Sequence, residues 1–222
     1  MSDQAIPHPR PTRPRLRGRL HLIAFLASLP AGAALLVAAG SGRARLAALV
    51  YVVSLAAMFG TSAALHGRHW SARAWLWMDR LDRAMIYVLI AGSYTPVILL
   101  ALRPGWRVAF LAMVWTVAAV GIVLVLLRTA NPVVGLTRML LYLGLGWISV
   151  LLLPQLVGTL GLGKVSLAMV GGLFYTVGVV VLIRQRPDPV PHVFGYHEVW
   201  HAFTVAAGVC HFAFIWLLAT AG

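Results

Sequence analysis

Seven long apolar stretches, at 20–40, 46–66, 83–102, 106–127, 135–153, 165–184 and 198–219, alternate with short segments rich in arginine. Each approaches the roughly 20 residues that an α-helix needs to cross the hydrocarbon core of a bilayer. Glycines and prolines within them, such as Pro30, Gly32, Gly121 and the Gly171-Gly172 pair, are tolerated in spans because neighbouring helices re-satisfy the backbone. The pattern predicts an all-α integral membrane protein, a seven-transmembrane-helix bundle. Ahead of the first stretch, Pro7, Pro9, Pro11 and Pro14 stand among five arginines. Missing amide donors and like-charge repulsion predict a disordered basic cytoplasmic tail over 1–19, held near anionic headgroups, and one seven-helix domain over 20–222. The apolar stretch behind the tail is longer than a signal-peptide h-region, so the segment is expected to be retained.

Composition sharpens this reading. The chain of 222 residues is 61% hydrophobic and only 10% charged, against roughly a quarter charged in soluble domains. A soluble enzyme and a single-anchor receptor are both excluded. The formal charge of +13 would fit nucleic acid, but its placement in loops between apolar runs fits the positive-inside rule instead. No nucleic-acid partner is expected. With the amino terminus inside, 13 of the 18 Lys+Arg fall on the inner side and 5 on the outer. The expected topology is therefore amino terminus cytoplasmic and carboxyl terminus outside, in the cell inner (plasma) membrane. Cys210 is the single cysteine, which excludes an intrachain disulfide and a Cys-rich metal site.

Acidic residues are few enough to read singly. Asp79 and Asp82 stand where the third span begins, Glu198 where the seventh begins, and Asp3 and Asp188 in the tail and a loop. His66 closes the second span, while His197 and His201 open the seventh. Seven-span parity brings all of these groups to one depth, near the cytoplasmic leaflet.

His197 and His201 are one helical turn apart, so their imidazoles share a face. That spacing suits one zinc ion, with His66 as the third ligand from a neighbouring helix and water at the fourth position. Ser62 precedes His66 by one turn and could orient that water or hydrogen-bond behind the ligands. Asp82 is the candidate general base. Asp79 is expected to pair with Arg83, four residues on. His8, His21, His69 and His192 read as interfacial residues, and His211, too far along the helix to share the metal, as a packing or proton-handling residue. His197-Glu-Val-Trp-His201 is also literally HExxH, but no acid follows Glu198 and the later histidine has the wrong spacing for a zincin.

Ser62-Ala-Ala-Leu-His66 and Leu81-Asp82 followed by Ile90-Ala-Gly-Ser-Tyr-Thr-Pro96 resemble the second and third spans of the hemolysin III family. Gly171-Gly-Leu-Phe-Tyr175-Thr-Val-Gly178 and Phe194-Gly-Tyr-His197-Glu-Val-Trp-His201 resemble its sixth and seventh. That family is similar to the progestin and adipoQ receptors, within a proposed superfamily of membrane hydrolases that includes alkaline ceramidases. The resemblance implies seven helices, zinc on His66, His197 and His201 water-bridged to Asp82, and Ser62 behind them. Members often carry histidine directly after the aspartate; here Arg83 follows Asp82, so no role is carried to that position. The expected function is a zinc-dependent hydrolase of lipid amide or ester bonds near the cytoplasmic leaflet, with membrane lipids as partners. The alternative is a non-enzymatic sensor, permeation or membrane-homeostasis protein with a structural zinc.

Overall fold

The computed structural model describes residues 14–127 and 132–221. Among the described residues, eight α-helices account for seven apolar crossings. They are α1 (Arg19–Ala38), α2 (Gly42–Gly67), α3 (Ala72–Ala101), α4 (Pro104–Leu126), α5 (Pro132–Trp147), α6 (Leu153–Leu160), α7 (Leu162–Arg184) and α8 (Tyr196–Ala219). Successive spans pack side by side, and α8 lies against α1, α2, α3 and α7. The last span thus joins α7 to the first three helices and brings the end of the chain against its beginning. Among the described residues the only β pairing is an isolated bridge between Val190 and Phe194.

Two helices start earlier than their apolar stretches because serines cap them. Ser41 Oγ accepts from Ala44 N–H at 3.2 Å, and Ser71 Oγ from Ala74 N–H at 3.3 Å. A serine oxygen satisfies one of the amide donors left free in a first helical turn. The extra turns of α3 carry Trp75 and Trp77, both exposed, and the Arg80 guanidinium lies 4.9 Å from the Trp77 ring centre. Such aromatic and cationic residues suit the headgroup level of a membrane. Asp79 and Asp82 consequently lie inside α3 rather than at its start.

The fifth crossing is longer than the 135–153 stretch and is not one helix. A 3-10 turn over Ile148–Leu152 separates α5 from α6, and Pro154 sits in the first turn of α6. Proline donates no amide and clashes with the preceding turn, so a helix restarts there more easily than it continues. Backbone freed within a membrane needs a partner. Tyr94 supplies it from α3, its hydroxyl donating to Gly146 O at 2.9 Å and accepting from Ser149 N–H at 3.0 Å. Tyr94→Phe leaves both groups unsatisfied and should cost on the order of 2 kcal/mol. Thermal unfolding in detergent against wild type checks this, and an unchanged midpoint would remove Tyr94 from the account of the break.

Of the tail expected to be disordered over 1–19, residues 1–13 lie outside the described residues, and His8 with them. The rest departs from the expectation. Residues 14–18 form a turn, with Arg15 N–H donating to His192 O at 3.0 Å and Leu16 N–H to Val193 O at 3.1 Å. Two backbone bonds to the α7–α8 loop offset the repulsion among the arginines. Gly18 then enters α1 with φ 79°, and a Cβ there would stand 2.8 Å from His66 Cβ. Only glycine meets both demands.

Candidate metal centre

His66 ends α2, and His197 and His201 occupy the first two turns of α8. Their ligand atoms all lie within 4.8 Å of one another. His197 Nε2 and His66 Nε2 are 3.3 Å apart. A tetrahedral ion with bonds of about 2.0–2.1 Å to nitrogen has nitrogen–nitrogen edges of about 3.3–3.4 Å. The pair therefore already spans one edge of such a tetrahedron. The His197 and His201 rings stand 4.6 Å apart centre to centre, as residues on one helical face should. His201 is buried, and its Nδ1 has no hydrogen-bond partner among the described residues. Three imidazoles without thiolate or carboxylate suit zinc, copper, iron or nickel. The group can hold a metal ion.

Ser62 is buried one turn before His66. Its hydroxyl meets the carboxylate of Asp82, which reaches in from α3. Ser62, Asp82 and the three histidines line one cavity of about 530 Å³. From the histidines it extends between α3, α5, α7 and α8 toward Tyr94, Trp147 and Thr204, and its remaining lining is largely apolar. A hollow of this size and chemistry accommodates a ligand of lipid or drug dimensions.

The other two acids at the span starts, Asp79 and Glu198, are engaged elsewhere. Asp79 accepts from Arg83 at 3.0 Å in the i,i+4 pair the spacing predicts. Glu198, only 1% exposed, is ion-paired with Arg17 of the amino-terminal turn, and its other oxygen accepts from Gly195 N–H at 2.9 Å. That carboxylate caps α8 and ties the turn of residues 14–18 over the end of the bundle. His211 sits deep in α8, where its ring N–H donates to Ala168 O at 3.2 Å. The ring covers Gly171, where a Cβ would lie 2.3 Å from it. These contacts fit the packing role, one of the two expected of it.

One expectation fails. His21 reads in the sequence as an interfacial histidine, but it is only 3% exposed and belongs to the centre. Its ring stacks on His201 with centroids 3.7 Å apart and planes 9° from parallel, and Phe59 meets it edge-on. The first turn of α1 faces inward because α1 packs against both α2 and α8. An almost uniformly apolar span gives no polar face from which that orientation could be read. His69 and His192 are exposed, as expected.

The sequence pattern described as "Haemolysin-III related" matches residues 10–212. "Hemolysin-3" of Bacillus cereus is 32% identical over 197 residues, which cover 86% of this chain and 85% of that protein. "Hemolysin-3 homolog" of Bacillus subtilis (strain 168) is 30% identical, over 86% of this chain and 87% of its own length. "Monocyte to macrophage differentiation factor" of Homo sapiens is 27% identical, covering 78% of this chain and 70% of that protein. A match over nearly the whole chain, joined to seven crossings that bring two distant histidine motifs together, makes this chain a member of the Haemolysin-III related family of multi-pass membrane proteins.

Proposed function

We propose that this protein is a zinc-dependent hydrolase of lipid amide or ester bonds, acting at the cytoplasmic leaflet of the cell inner (plasma) membrane. The observation that carries the reading is the convergence of a metal-competent histidine triad and a partly buried Asp82–Ser62 pair on the wall of one largely apolar cavity. His66, His197 and His201 would hold the ion. Zinc, when bound, polarises a scissile carbonyl and makes water nucleophilic near neutral pH.

The remaining chemistry belongs to the chain. The cavity receives an acyl chain and excludes bulk water, leaving the polar bond at the histidine end. Asp82 takes a proton as water adds to the carbonyl carbon, and returns it to the leaving amine or alcohol as the C–N or C–O bond breaks. Ser62 holds the Asp82 carboxylate in orientation. Glu198 takes no part, because Arg17 and Gly195 occupy both its oxygens.

Metal analysis together with lipid profiling of cells carrying wild type or His201→Ala tests the reading. Zinc in the wild type and a lipid pool that changes only with the intact triad support it. Zinc with no lipid change would favour the non-enzymatic alternative, in which the ion is structural. The topology has its own check. Reporters should read inside at Met1 and outside at Gly222, given the excess of basic residues on one side. Both ends on one side would contradict an odd number of crossings.

A further inference from the structure

His21 is a buried imidazole with nothing to bind. Neither Nδ1 nor Nε2 has a hydrogen-bond partner among the described residues, although both are shielded from solvent. Leaving a buried polar atom unpaired costs about 1–3 kcal/mol. Packing alone would be better served by phenylalanine or leucine in a span whose neighbours are almost all apolar. The ring also lines the cavity that the histidine triad and Asp82 line.

A fourth metal ligand is excluded by the stacking geometry. An imidazole binds a metal in its own plane. The His21 and His201 planes are nearly parallel, with centroids 3.7 Å apart. An ion in the His201 plane would stand away from the His21 plane by about that separation, whereas a zinc–nitrogen bond is about 2.0–2.1 Å and lies in the ring plane. The same offset leaves space for one oxygen between the ion and His21, since hydrogen bonds to oxygen span about 2.7–3.2 Å.

We propose that His21 is the hydrogen-bonding partner of the oxygen that completes the coordination of an ion held by His66, His197 and His201, whether water or a carbonyl, carboxylate or hydroxamate oxygen. A neutral imidazole offers one N–H donor and one acceptor nitrogen, so it serves both water and a substrate oxygen. Stacking on His201 and the edge contact with Phe59 hold the ring in place. The inference rests on the metal assignment made above, but not on turnover.

The test uses full-length protein in detergent, loaded with cobalt in place of zinc, with acetohydroxamate as the oxygen-donor probe and the visible cobalt spectrum as readout. His21→Phe keeps a ring against His201 and removes both nitrogens. It should retain the cobalt of the wild type and bind acetohydroxamate roughly tenfold or more weakly, the loss expected for a hydrogen bond to a charged oxygen. His21→Gln restores an N–H and should recover much of that affinity. Equal affinity for His21→Phe and wild type would overturn the proposal, as would loss of cobalt from His21→Phe while His21→Gln retains it. A wild type that binds no cobalt sinks this inference and the metal centre together. A His21-dependent probe affinity in a protein that hydrolyses no lipid sinks only the hydrolase reading.

Discussion

His201→Ala should abolish the proposed zinc binding and with it any stabilisation that a bound ion would give the fold. Wild type purified without chelator should hold about one zinc per chain, and His66→Ala, His197→Ala and His201→Ala should each fall to near zero, because two imidazoles alone hold the ion weakly. Stability follows by mass action. At free zinc about one hundred times the dissociation constant, a ligand that binds only the folded protein stabilises it by about 2.7 kcal/mol. A chelator should therefore lower the unfolding temperature of the wild type and leave that of each variant unchanged. This second comparison separates the metal from the packing that alanine removes, since His201 also stacks on His21. A His201→Ala protein with full zinc occupancy, or a chelator shift that persists in all three variants, would refute the assignment.

The second large effect divides two carboxylates. Asp82→Asn should keep zinc and lose hydrolysis by about 10²–10⁴-fold, the range for a missing acid–base group. Glu198→Gln should keep zinc and most of the activity, but become less stable by on the order of 2 kcal/mol, because Arg17 loses its charged partner. The structural reason is direct: Asp82 lines the cavity with Ser62, whereas Glu198 is closed off between Arg17 and the start of α8. Zinc content, lipid turnover and unfolding temperature measured on both variants decide the matter. A dead Glu198→Gln beside an active Asp82→Asn would return the HExxH motif to its protease role. Turnover absent from the wild type as well would leave the ion structural.

Much of this was legible in the sequence because lipid imposes simple rules. Hydropathy alone places seven crossings. The four-residue spacing of His197 and His201, with an even number of spans between them and His66, puts three imidazoles at one end of the bundle. The Asp79–Arg83 pair follows from i,i+4 spacing. What escaped has a common physical origin. The inward turn of His21, the docking of residues 14–18 on the α7–α8 loop and the Tyr94 hydroxyl in the break of the fifth crossing depend on which helices become neighbours. Local periodicity carries no such information. Pro154 stands just past the 135–153 stretch, in the first turn of α6, and the partner across the bundle makes the break stable.

His66 and His197 are separated by 131 positions in the chain and by 3.3 Å in space. During synthesis, the first of them enters the membrane long before the second exists. A nascent chain halted after α7 offers an ion one imidazole of the three, and no captured ion can hold it in shape. Metal acquisition by this triad would thus be the closing event of biogenesis, possible only once the last helix has inserted and docked against the first three. An ion retained by the protein is in effect a record that assembly reached its end.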